Sequence, residues 1–194
     1  MKTSHIIFSL AILHVLISCT PESGNGQKTI EIKKDNKASL ATANAITIND
    51  EQEFRKLFKI LTESLKRKNL SNIETLMNFP FYTSHAEASN NLGAATDPIG
   101  GNEFQKYKTT IFNADVMRLL PSCKEENLSE IDSKTDELYY KSLKKLTDPG
   151  SKMYEAYMQY PEKDTQAESY FGFIFGKVNG KFKALATYAK WPVK

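Results

Sequence analysis

The dipeptide Asn179-Gly180 constrains this chain more than any other two residues, because it separates two runs that alternate as β-strands do. Asn-Gly accepts positive φ at both central positions of a two-residue type I′ turn, whose twist matches the strands it joins. Residues 170–178 and 181–189 are rich in aromatic residues at period two, so the segment predicts an antiparallel hairpin. Counting outward from Val178 opposite Lys181 places Phe171, Phe173 and Phe175 on one face with Tyr188, Ala186 and Ala184, while Lys177 and Phe182 pair near the turn. The other face carries Tyr170, Gly172, Ile174, Gly176 and Val178 with Lys181, Lys183, Leu185, Thr187 and Ala189. It is the more mixed of the two, so the phenylalanine face is expected to meet the rest of the core.

The partners of that face lie upstream. Asp50 followed by Glu53 reads as a capping box, and Phe54, Leu57, Phe58, Leu61 and Leu65 then recur on one stripe, predicting a helix over 51–68. Ser71 with Glu74 repeats the cap before a short helix carrying Ile73, Leu76 and Met77, which Asn78 and Pro80 end. An extended segment over 79–84 follows, then a loop over 88–101 rich in Asn, Gly, Ala and Asp. Asn102 is placed to cap a helix with Phe104, Tyr107 and Ile111 on one face, and 113–120 makes a further helical turn closed by Pro121. Residues 133–146 read as a helix and 152–160 as a strand. The sum is an α+β fold, N-terminal helices packed on one face of a curved antiparallel sheet.

Ahead of this domain stands a different kind of sequence. Lys2 precedes a twelve-residue apolar run, 6–17, too short to span a bilayer, which needs about 20 apolar residues. It ends Leu16-Ile17-Ser18-Cys19, an aliphatic residue three before a cysteine and a small residue just before it. This ending resembles the lipobox of bacterial lipoproteins. The resemblance implies cleavage before Cys19, a diacylglycerol on its sulfur, and a membrane anchor through that lipid. Thr20 in place of Asp favours the outer membrane by the same analogy. Residues 1–18 are then a signal peptide, 19–49 a lipidated flexible tether poor in aromatics, and 50–194 a single domain. About thirty flexible residues give an r.m.s. reach on the order of 30 Å.

Composition removes several function classes. Lys2 leaves with the signal peptide, so 25 of the 26 basic residues face 23 acidic ones, and only Arg55, Arg67 and Arg118 are arginine. Scattered lysines without arginine forks argue against nucleic acid as a partner. His85 is the one histidine and Cys123 the one unlipidated cysteine after residue 19. No disulfide can close within the mature chain, no zinc ligand set is present, and Glu125, Glu126, Glu130, Asp132, Asp136 and Glu137 lack calcium-loop spacing. No metal or other cofactor is expected.

For catalysis, His85 beside Ser84 and Glu87 is the sole histidine base, with no partner at meaningful spacing, and Cys123 has only Lys124 to lower its thiol pKa. Asp97, Asp115 and Tyr107 are the nominees for a pocket acid or base. Ten of the 21 aromatics fall between Tyr154 and Trp191. The phenylalanines among them are accounted for as core, which leaves Tyr154, Tyr157, Tyr160 and Trp191 as a candidate binding surface.

The stripe of the first helix, KNLSNIETLMNFPF, EFQKYKTTIF and YFGFIFGKVNGKFKALATY together resemble envelope lipoproteins of Bacteroidota-type bacteria with a cystatin-like, nuclear-transport-factor-two-like cone, whose activities are uncharacterised. The likeness spans most of 50–190 and leaves 123–168 unmatched. It implies a membrane-anchored, non-enzymatic module that binds an envelope protein, a glycan or a small apolar ligand. The rival readings are a small hydrolase or isomerase using a cone pocket, and an immunity or inhibitor protein.

Overall fold

A computed structural model describes the backbone over residues 35–85, 95, 97–163, 165 and 167–194, and side chains from residue 50 onward with the exception of His85. The expected signal peptide 1–18, Cys19 and most of the expected loop 88–101 lie outside the described residues. Among the described residues no helix is long and apolar enough to cross a membrane.

The first helix, α1, runs Asp35–Lys66, so it begins well before the expected residue 51 and takes in positions 35–49 that composition had placed in the tether. Ala38, Ala41, Ala43 and Ala45 supply high helix propensity there, and Asp35 suits a helix N-terminus. Asp50 is therefore no cap but an interior helical residue, fully buried. The helix ends where Lys68 turns to φ 55°. Asn69, rather than Ser71, then caps α2 (Leu70–Leu76), its side-chain oxygen accepting from the Asn72 amide at 3.1 Å.

Strand β1 (Met77–His85) leads to the two-residue β2 (Pro98–Ile99), α3 (Phe104–Ile111) and α4 (Ala114–Leu119). Gly100 and Glu103, not Asn102, organise the start of α3, the Glu103 carboxylate accepting from the Gly100 amide at 3.0 Å. Asn113 caps α4, its side-chain oxygen accepting from the Val116 amide at 3.0 Å. Next come β3 (Leu128–Glu130), α5 (Leu138–Lys144), β4 (Met153–Pro161), β5 (Glu168–Val178) and β6 (Lys181–Ala189). Helix α5 is half the length predicted because residues 132–137 are held in turns by Asp132, which accepts from the Lys134 and Thr135 amides.

The six strands form one sheet in the order β2-β1-β6-β5-β4-β3. It is mixed rather than antiparallel: β1 runs parallel to β6, the other neighbours antiparallel. The chain passes from β1 to β6 through helices and the rest of the sheet, a connection long enough to restore direction. The hairpin turn is as read, with Asn179 at φ 51° and Gly180 at φ 74°. Register also follows the count from Val178↔Lys181 to Phe175↔Ala184. There a β-bulge adds Leu185 to β6, after which Ile174 faces Ala186 and Gly172 faces Tyr188. Tyr188 therefore leaves the phenylalanine face for the opposite one.

Helices α1 to α4 cover the phenylalanine face. Phe54 stacks on Tyr154 at 4.5 Å and meets Phe175 at 5.3 Å, and Phe112 stacks on Phe173 at 5.6 Å. The opposite face is not open either. Tyr139 and Leu143 of α5 pack there on Met153, Ile174, Leu185, Ala186 and Tyr188. One buried ionic cluster ties α1 to the sheet. Asp50 accepts from the Lys152 amide at 3.0 Å and pairs with Lys177 Nζ at 2.6 Å, while Glu53 holds the same ammonium at 2.9 Å. Burial works against the Lys177 charge, but bonds to Asp50 and Glu53 outweigh it and raise its pKa.

Candidate functional site

Helices lying over a curved sheet can enclose a pocket, and here that space is filled. Phe54, Phe58, Phe171, Phe173, Phe175 and Tyr154 interlock within it, all but Phe58 at most 4% exposed. The nominated acid-base residues do not meet inside it. Asp115 pairs with Arg118 at 2.7 Å on the exposed side of α4. Asp97 is exposed and contributes its carbonyl to the Thr83 amide, and Tyr107 is half-buried with Lys106 Nζ 4.8 Å from its ring centre. Cys123 is half-buried, and burial pushes its thiol up to about 11, the reverse of what a nucleophile needs. Lys124, the neighbour expected to activate it, reaches toward Glu126 at 3.9 Å instead. The backbone of His85 ends β1 opposite Ala189, and its side chain is outside the described set.

The four aromatics expected to share a binding surface are separated by the pleat. Tyr154 and Tyr160 are buried on the helix-covered face at 4% and 9% exposure. Trp191 lies on that side too, half-buried against Phe171 at 6.2 Å. Tyr157 alone projects to the other face, where its ring centre lies 6.3 Å from that of Tyr170 and 6.4 Å from that of Tyr188. Odd and even positions of one strand cannot serve one surface.

What the sequence did not single out is the ground beneath α5. A cleft of ≈ 470 Å³ opens between the segment after β3, helix α5 and the start of β4. Ile131, Met153 and the ring of Tyr140 give it an apolar wall; Lys134, Lys141, Lys144 and Lys152 with Glu130, Asp132 and Asp136 give it charge. Lys152 pairs with Glu130 at 2.6 Å and Lys141 with Asp136 at 3.2 Å. Lys144 is half-buried and donates to the Ser151 carbonyl, and burial lowers its pKa, with Asp50 opposing.

Behind the cleft lies a half-buried carboxylate. Glu155 of β4 accepts from Tyr188 Oη at 2.7 Å and from Tyr140 Oη at 3.0 Å, so one side chain joins α5 to β6. Burial raises the Glu155 carboxyl above its ordinary range while the two hydroxyl bonds pull it back, and burial together with this carboxylate pushes both tyrosines upward. Tyr188 reaches Glu155 by lying across Gly172, where a Cβ would stand 2.4 Å from the ring. The one sequence signal for this arrangement is Gly172 between Tyr170 and Ile174, a gap on a strand face where another side chain can cross. Among the described residues no group of three or more His, Cys, Asp or Glu is poised to hold a metal ion.

No family model matches the chain, and no curated protein does. Several solved structures are similar to it. An NTF2-like protein with a cystatin-like fold from Novosphingobium aromaticivorans is 10% identical, with 81% of this chain and 90% of that one covered and a TM-score of 0.42. An NTF2-like protein of unknown function from Shewanella oneidensis is 11% identical over 72% of this chain and 97% of its own, with a TM-score of 0.38. A protein of unknown function with a cystatin-like fold from Nostoc punctiforme is 12% identical over 72% and 88%, with a TM-score of 0.36.

Proposed function

We propose that the chain is a lipid-anchored binding module of the bacterial envelope, without catalytic machinery, that takes a small ligand in the cleft beneath α5. The observation that carries the binding reading is the division of space between the two faces. The region between helices and sheet, where a cone enzyme would need convergent polar groups, is filled by aromatic rings. The cleft on the other face combines an apolar wall with two lysines, Lys134 and Lys144, that have no carboxylate partner among the described residues, at a volume within the ~300–1,000 Å³ of small-molecule sites.

The anchor reading rests on Leu16-Ile17-Ser18-Cys19, and Thr20 supports the outer membrane as the destination. More than one acyl chain is needed for a durable anchor, since each buried methylene contributes about 0.8 kcal/mol and a single chain holds only marginally. Metabolic labelling with a fatty acid tests it directly: label enters the wild type and is lost in Cys19→Ala, and label surviving that substitution refutes attachment there. For the cleft, native mass spectrometry of protein taken from envelope extract should show a bound small molecule that Ile131→Trp, filling the cleft, expels. A ligand retained by that variant would place the site elsewhere.

A further inference from the structure

We infer that the cleft beneath α5 takes an amphipathic monocarboxylate, with Lys144 as its counter-ion, an assignment that rests on the cleft being the binding site. The argument begins with which cations are already satisfied. Of the four lysines lining the cleft, Lys152 is paired with Glu130 and Lys141 with Asp136. Lys134 and Lys144 have no carboxylate within ion-pair distance among the described residues. Lys134 sits on the open turn after β3, whereas Lys144 is half-buried at the foot of α5. Among the described residues the Lys144 ammonium meets only the neutral carbonyl of Ser151. The nearest carboxylate in electrostatic terms, Asp50, is fully buried and already held by Lys177 and the Lys152 amide.

A cation taken partly out of water and given a neutral acceptor is under-compensated, and an incoming anion corrects that. The charge of the anion is also limited. Four lysines face three carboxylates, Glu130, Asp132 and Asp136, around the rim, an excess of one positive charge. A monoanion balances it, whereas a dianion such as a phosphate monoester leaves the cleft with one negative charge in excess. The rest of the ligand must be apolar, because Ile131, Met153 and the Tyr140 ring line the same cleft as Lys144. A charge-assisted hydrogen bond between ammonium and carboxylate is worth roughly tenfold or more in affinity.

Three eight-carbon probes separate the possibilities: octanoate, 1-octanol and octyl phosphate, each titrated into the purified protein by calorimetry, with methyl chemical shifts of Ile131 and Met153 reporting the site. Octanoate should bind about tenfold more tightly than octanol and more tightly than octyl phosphate. In Lys144→Met, which keeps the aliphatic stem, octanoate and octanol should become equal, while Lys144→Arg keeps the preference and shows that the fold tolerates change there. Octanol binding as tightly as octanoate in the wild type, or a preference that survives Lys144→Met, overturns the carboxylate assignment and leaves the cleft as a site. A preference for octyl phosphate overturns the monoanion argument. Failure of every probe to move the Ile131 and Met153 methyls overturns the cleft reading itself.

Discussion

Replacing Asp50 by Asn removes one charge from the junction of α1 with the sheet while leaving its shape and its acceptor for the Lys152 amide. In the wild type the carboxylate is fully buried, 2.6 Å from Lys177 Nζ and 3.0 Å from the Lys152 nitrogen. Removing one partner of a buried ion pair costs about 3–5 kcal/mol when the other is left alone. Lys177 is not left alone, because Glu53 holds it at 2.9 Å, and its side chain keeps 15% exposure. The expected loss for Asp50→Asn is therefore about 2 kcal/mol, and for Asp50→Ala about 3 kcal/mol, since Ala also leaves the half-buried Lys152 amide without its acceptor.

Urea unfolding followed by circular dichroism, with Trp191 fluorescence as a second probe, measures both. The m-value should stay constant, so that the midpoint shift reads stability alone. Lys177→Met should cost about 3 kcal/mol, because it strands the more deeply buried carboxylate, and the double variant Asp50→Asn/Lys177→Met should fall short of the sum by about 1 kcal/mol or more. Asp50→Asn within about 0.5 kcal/mol of wild type, or a strictly additive cycle, would refute the reasoning that this pair joins α1 to β5.

Two further perturbations probe the other face. Gly172→Ala should destabilise by about 2 kcal/mol and loosen the Tyr188–Glu155 bond, because the new methyl overlaps the Tyr188 ring; thermal unfolding together with the Tyr188 ring shifts reports it. Glu155 holds its proton more tightly when folded, so its contribution to stability is full below the ordinary carboxyl value of 4.5 and declines as pH rises through the raised value. Glu155→Gln, still able to accept from both tyrosines, should flatten that decline and be at least as stable as wild type at neutral pH. An unchanged pH profile in unfolding experiments would show that Glu155 is not the group responsible.

The readable parts of this fold were those written in neighbouring residues. Asn179-Gly180 specified its own turn and the stripe from Phe54 to Leu65 specified its helix, since each depends on contacts a few positions apart. Asp50 misled because Asp followed by Glu three residues later has the same local pattern at a helix start and within a helix. Its actual partners lie 102 residues away at Lys152 and still further at Lys177. The cleft was illegible for the same reason: β3 and β4 bring 130–136 beside 150–153 only once the sheet has formed. Tyr154, Tyr157 and Tyr160 lie on one strand, and alternation alone was enough to divide them between two faces.

The bulge at Leu185 gives β6 an odd sensitivity. It acts as a reading-frame correction in space: the strand begins in phase with the helix-covered core and finishes in phase with the tyrosine face. Exchanging one side chain along β6 alters a single contact. Removing one residue there would re-address every position after it, sending Tyr188 in among the phenylalanines and taking from Glu155 one of its two hydroxyl donors. The length of this strand, more than its composition, keeps the helix-covered face and the tyrosine face in step, and drift in this chain should accept substitutions in β6 far more readily than insertions or deletions.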